Sequence, residues 1–207
     1  MSRAASRFVP LAVGVLLLGL GTGSAQAQRH LDRYDATFRK YSKRFFGVGQ
    51  DWRMFKAQGM TESNLNPAAT SWVGARGIMQ LMPSTFQAIQ SKNPIFASID
   101  NDEWNIAAGV YHDRQLWRLW RADSVEGADH HRFMFASYNA GRVPILRAQT
   151  LALKKELNPR LWASVEQVAP EVRRWRHRET LGYVRKIMAN LDRMDGRGRV
   201  VRAAAPD

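Results

Sequence analysis

Apolar and aromatic residues in this chain recur at helical intervals, and no stretch alternates as a half-buried strand would. Trp52, Phe55, Gly59 and Glu62 are separated by three, four and three positions, which puts them on one stripe of a helix over roughly Asp51–Ser63. Tyr34, Phe38, Tyr41 and Phe45 follow the same rhythm and predict a short helix with one ringed face, broken by Gly47-Val48-Gly49. Asp100-Asn101-Asp102-Glu103 is an acidic, cap-rich helix start, and Ile106, Val110, Leu116 or Trp117, and Trp120 continue inward to about Arg121. Further helices are predicted from Pro83 to Gln90, through Phe133, Met134 and Ala136 to Gly141, and from Pro144 to about Leu157. Two more run from Arg160 to Val168 and from about Glu179 to Met194, with Pro170 between them. Val125–His131 reads as a loop. Asn66–Gly77 reads as a longer loop with room for a small hairpin, and the segment from Gly196 onward as a disordered basic tail. The fold class is therefore all-α.

Composition narrows the class further. At 207 residues and 45% apolar content the chain can bury one sizeable core, and with no Cys it must do so without disulfides or thiolate ligands. Arg3 and Arg7, the apolar run Phe8–Leu20 and Ala25-Gln26-Ala27 form an export signal, with cleavage expected after Ala27 and an uncleaved anchor as the alternative. The organisation expected is a leader at 1–27, one domain at 28–195 and the tail at 196–207. The formal charge of +13 favours association with polyanions. Export argues against nucleic acid as the partner. An anionic wall polymer or membrane surface fits, so peripheral membrane contact stays open. His130 and His131 are adjacent, the other His are scattered and no H-E-x-x-H run occurs, so no metal site is expected.

Glu62 stands out because a carboxylate on a buried stripe has its charged form disfavoured and its pKa raised, as a general acid near neutral pH requires. The plainer alternative is a helix-end Glu reaching solvent or an Arg. The downstream segments favour the first reading. Glu62-Ser63 precedes Gly74-Ala75-Arg76-Gly77-Ile78-Met79-Gln80-Leu81-Met82-Pro83, then Phe135-Ala136-Ser137-Tyr138-Asn139-Ala140-Gly141, then Glu179-Thr180 with Tyr183-Val184. In order and spacing these four segments closely resemble the soluble lytic transglycosylases, over about Trp52–Met194.

The resemblance implies a goose-type lysozyme-like fold and cleavage of the β-1,4 bond between N-acetylmuramic acid and N-acetylglucosamine in peptidoglycan. Water takes no part: the muramoyl C6 hydroxyl attacks C1 and leaves a 1,6-anhydro ring. No cofactor is implied. Glu62 matches the catalytic acid, which then serves as the base. Ser71 matches a serine that hydrogen-bonds the carboxylate or an N-acetyl group. Met79, Gln80 and Met82 match the G-x-M-Q-L-M-P segment, with Gln80 lining the cleft; core filling is the alternative for the two Met. Tyr138 and Asn139 match A-Y-N-A-G, Tyr138 approaching the Glu or the sugar and Asn139 otherwise holding a helix end. Glu179 and Tyr183 match E-T-x-x-Y-V, with an Arg-paired acid and a packed ring as the alternatives. Ser137 stands where Ala is usual, and Gln58-Gly59-Met60-Thr61 is more polar than the usual lead-in to the Glu. A second carboxylate is not evident in the motifs, and Asp100, Asp102 and Glu103 read as helix-start residues. The partner implied is the glycan strand, acted on by a periplasmic monomer, either in general turnover or beside an envelope assembly machine. A lysozyme-like hydrolase and a non-catalytic wall-binding protein are the rival readings.

Overall fold

The structure is a computed structural model and describes residues 26, 28–123, 125 and 127–201; the expected leader, apart from residue 26, and residues 202–207 lie outside that range. The fold is carried by helices α1 (Asp35–Phe46), α2 (Arg53–Ser63), α3 (Pro83–Lys92), α4 (Asp102–Ala122), α5 (Gly127–Ala140), α6 (Arg142–Lys154), α7 (Trp162–Val168) and α8 (His177–Asp192). A 3-10 turn at Ala169–Glu171 separates α7 from the approach to α8. No described helix is long and apolar enough to cross a membrane.

Helix α2 lies between α1 and α8, and α4 packs on both α1 and α5. The stripe of α2 does face the core. Phe55 is fully buried, and a Cβ at Gly59 would come within 3.0 Å of Leu65 and 3.1 Å of Phe38. The glycine is thus required by close approach of α1 and of the chain just after α2. The ringed face of α1 buries Tyr34, Phe38 and Tyr41. On α4, Ile106, Val110, Leu116 and Trp120 point inward.

The loop from Asn64 to Met82 is anchored by Leu65, Ile78, Met79 and Leu81, which are buried in the core, and its irregular backbone is fixed by polar contacts. Asn64 caps α2 in the left-handed conformation, and Leu65 also has positive φ while its side chain is completely buried. Two isolated antiparallel bridges, Thr70 with Arg76 and Arg76 with Leu81, replace the small hairpin expected there. Asn105 fastens this loop to α4. Its Oδ1 accepts from Met79 N at 2.8 Å, and its Nδ2 donates to Arg76 O and Ile99 O at 3.0 Å each. Gly77, at φ 74°, lies so close that a Cβ there would be 2.4 Å from the Asn105 amide.

Two expectations need correction. Residues from Gly127 belong to α5, because Asp129 accepts from Trp162 N at 2.9 Å and His130 stacks on Trp117 at 4.3 Å, contacts made only in the folded chain. The segment from Gly196 to Val201 is folded back on the molecule. Asp195 accepts from Arg197 N and Arg199 N, Met194 bridges Val200, and Gly198 O accepts from the buried Lys56 Nζ at 2.7 Å. Lys56 also pairs with Asp35 at 2.6 Å and Asp32 at 3.1 Å, so this buried cation of α2 is neutralised on the side facing α1.

Asn105→Ala orphans the buried Met79 N–H and takes a donor from the Arg76 and Ile99 carbonyls, of which Arg76 O keeps Leu81 N. It should lower unfolding free energy by about 2–4 kcal/mol, measured by urea unfolding.

Candidate active site

Glu62 lies in the last turn of α2, and α8 crosses α2 so that Tyr183 faces it. The Tyr183 hydroxyl donates to Glu62 Oε1 at 2.5 Å, a short bond of the kind formed with a carboxylate. Tyr183 itself is only 8% exposed. Among the described residues no cation pairs with Glu62. Burial therefore dominates and pushes the carboxyl up to about 7, against a smaller lowering by the Tyr183 bond. Burial and the neighbouring Glu62 together hold the Tyr183 phenol well above its ordinary value, so it keeps its proton to donate. Burial, followed by the same charge, raises Tyr138 in the same direction.

Tyr138 does not bond Glu62. Its hydroxyl donates to Met79 O at 2.8 Å, and its ring lies 5.3 Å from that of His112. The motif tyrosine of α5 therefore pins the Asn64–Met82 loop from one side, as Asn105 does from another. Met79 is fully buried, and its Cβ and Cγ occupy the space left by Gly109, where a Cβ would approach to 2.7 Å. Its side chain fills the core, and what it offers Tyr138 is its carbonyl. Gln80, at φ 44°, turns its amide back on the loop, donating to Gly77 O at 2.9 Å and Ala69 O at 3.1 Å. Ser71 Oγ accepts from Ala75 N at 2.9 Å and so stabilises its own turn. Met82 is 39% exposed and precedes Pro83 at the start of α3. Asn139 and Glu179 are brought together along a cavity of about 280 Å³ that also holds Trp175 and Arg176. Glu179 is paired with Arg176 at 3.2 Å.

Three further residues matter here. Ser63 Oγ donates to Ile78 O at 2.8 Å and accepts from Asn66 N at 3.1 Å, tying the residue after Glu62 to the loop. Asn105 holds the same loop from α4. Asp113, on the inner face of α4, is a fully buried carboxyl within electrostatic reach of Glu62. The acids at the start of α4 are engaged elsewhere: Asp100 with Arg76, Asp102 with Tyr34 and Glu103 with Lys40 and Tyr41. Asn101 is the N-cap, accepting from Trp104 N at 3.0 Å.

A carboxyl that titrates near 7 beside a phenol that does not can give a proton to a leaving oxygen and take one back in the next step. Positive φ at Asn64, Leu65 and Gln80 shows that the backbone around it is specified by tertiary contacts.

Comparison with known proteins agrees with this geometry. Residues 39–160 match the family model described as the transglycosylase SLT domain. The chain is 31% identical over 171 residues to the membrane-bound lytic murein transglycosylase F of Pseudomonas putida, covering 81% of this chain and 33% of that protein. It is 34% identical over 158 residues to the protein of the same name from Shewanella pealeana, covering 75% and 30%. The chain thus spans about a third of the length of these relatives. The crystal structure of the 70 kDa soluble lytic transglycosylase of Escherichia coli superposes with a TM-score of 0.57 at 23% identity, over 81% of this chain and 26% of that one. That likeness establishes the all-α, lysozyme-like fold.

Two outcomes follow from the site's electrostatics. Because the folded carboxyl is raised, Glu62 costs the fold nothing at acid pH and destabilises it as pH rises toward and through 7. Glu62→Gln should therefore be more stable than the parent by about 3 kcal/mol above that midpoint and equal to it below pH ~4, measured by thermal unfolding across pH. Tyr183→Phe removes a bond to the charged form, so the Glu62 midpoint should move upward in a carboxyl ¹³C NMR titration. A downward move would contradict the assignment.

Proposed function

Because this chain belongs to the transglycosylase SLT domain family, we propose that it cleaves the MurNAc-β-1,4-GlcNAc bond of peptidoglycan without water, leaving 1,6-anhydro-MurNAc ends. The observation that carries this reading is the Glu62 carboxyl, partly buried with no cation paired to it among the described residues, raised to about 7 and bonded by Tyr183 at 2.5 Å. At neutral pH a large share of Glu62 is protonated, so it can donate to the glycosidic oxygen as the bond to C1 breaks. The carboxylate left behind is held by the Tyr183 hydroxyl and accepts the proton of the muramoyl C6 hydroxyl as that oxygen closes on C1. Glu62 thus ends the cycle as it began, and neither step draws a proton from solvent.

The substrate-facing roles fall on different parts of the fold. Gln80 and Ser71 shape the loop beside Glu62 through their own backbone bonds, and Met82 is exposed at its end. Asn139 and Glu179 line the neighbouring cavity, where a glycan could extend past the reacting sugars. The setting is the cell envelope. The relatives are named membrane-bound murein transglycosylases, and the leader read in residues 1–27 fits export to the periplasm. The basic balance of the chain suits an anionic wall polymer.

Digestion of purified peptidoglycan by the chain from Gln28, read by mass spectrometry, should give muropeptides one water lighter than lysozyme products and lacking a reducible end. Glu62→Gln should reduce their yield about a thousandfold or more. Reducible products would make the protein a hydrolase on this fold. No products from folded protein would favour a wall-binding role.

A further inference from the structure

Gln58 and Asp113 form an isolated polar couple in the core. Gln58 lies one helical turn before Glu62 on α2, and Asp113 faces it from the middle of α4; both side chains are fully buried. Gln58 Nε2 donates to Asp113 Oδ1 at 3.4 Å. The remaining oxygens, Gln58 Oε1 and Asp113 Oδ2, are buried without a hydrogen-bond partner. Two acceptors cannot satisfy one another, and no ion pair involves Asp113 among the described residues. An ionised carboxylate in that position would be one of the costliest groups a core can hold.

We infer that Asp113 is a carboxylic acid in the working protein, its Oδ2–H donating to Gln58 Oε1 to close a ring of two hydrogen bonds beneath Glu62. One proton satisfies both orphaned oxygens. The acid then presents a hydroxyl and a carbonyl to the amide's carbonyl and N–H, matched donor to acceptor on each edge. Of the ionisable groups around it, Glu62, Tyr138 and Tyr183 lie within electrostatic reach. All three are acidic groups whose negative forms disfavour a second anion. The neighbouring Arg114 brings no relief, because its guanidinium stacks over Trp117 at 4.5 Å and Phe46 at 5.3 Å. Burial raises Asp113 well above the usual carboxylate range, in agreement with the geometry.

Asp113 is in this light a positioning residue. It clamps α2 to α4 one turn below the site and leaves Glu62 to titrate alone. A second carboxyl exists near Glu62, but it is neutral and contributes no charge toward a cationic C1.

Infrared difference spectroscopy decides the protonation state without needing substrate, so it stands whether or not the glycan reading does. Above the Glu62 midpoint, the C=O band of a protonated carboxyl should remain in the parent and in Glu62→Gln, and should vanish in Asp113→Asn. Absence of that band in the parent overturns the inference. The Glu62 midpoint, followed by ¹³C NMR, should not move in Asp113→Asn; a downward move would mean that Asp113 is charged. If muropeptide release is observed, Asp113→Ala should lower kcat about tenfold or more with little change in KM. Asp113→Asn, which can form the same ring as an amide pair, should recover it to within about threefold of the parent. Equal loss in both variants would give Asp113 a role in the chemistry itself and end the positioning assignment.

Discussion

A partly buried carboxyl group, with no cation paired to it among the described residues, is the constraint around which this molecule is built. The surroundings of Glu62 limit its contact with solvent while offering the ionised form very little. The Tyr183 hydroxyl is the exception, a single donor that can follow the carboxylate through both protonation states. The buried cation on the same helix, Lys56, is neutralised by Asp32 and Asp35 on the side facing α1, six residues and about 240° of helical rotation away. Charge separation on α2 is thus part of the design. Moved onto the Glu62 face, an ammonium would hold the carboxylate ionised and remove the proton that makes it an acid.

Around that group the fold uses rigid helices to hold an irregular loop. Asn105, Ser63 and Tyr138 each bond the main chain between Arg76 and Met79, from three different helices. The loop's own side chains, Ser71 and Gln80, complete the hold from within. Motif residues in this segment act through backbone as much as through contact with a ligand.

Much of this was legible in the sequence where local signals and tertiary packing agree. The stripe through Phe55, Gly59 and Glu62, the cap at Asn101 and the start of α3 at Pro83 are cases in which a residue's own preference matches its place. Spacing led to Glu62, and the family pattern led to Tyr183, but nothing in either predicts the 2.5 Å bond between them. The start of α5 was misread because Asp129 and His130 are polar; their partners, Trp162 and Trp117, are distant in sequence or on another helix. The basic stretch after Asp195 looks solvated until Lys56 is seen to need a carbonyl. Asp113 is the instructive miss. It sits between Val110 and Leu116 at the same intervals that singled out Glu62, so the stripe argument applied evenly along α4 would have found it.

The folded-back segment Met194–Val201 has a practical meaning for anyone handling the protein. It packs Gly198 against Trp52 at the beginning of α2, while Glu62 lies ten residues further along that helix, roughly 15 Å away at the rise of an α-helix. The backbone thus reaches Val201 at the end of α2 remote from the acid. A fluorophore, affinity handle or surface tether attached at the exposed Val201 would sit at that end, so immobilised protein should keep the Glu62 end of α2 open to polymeric substrate.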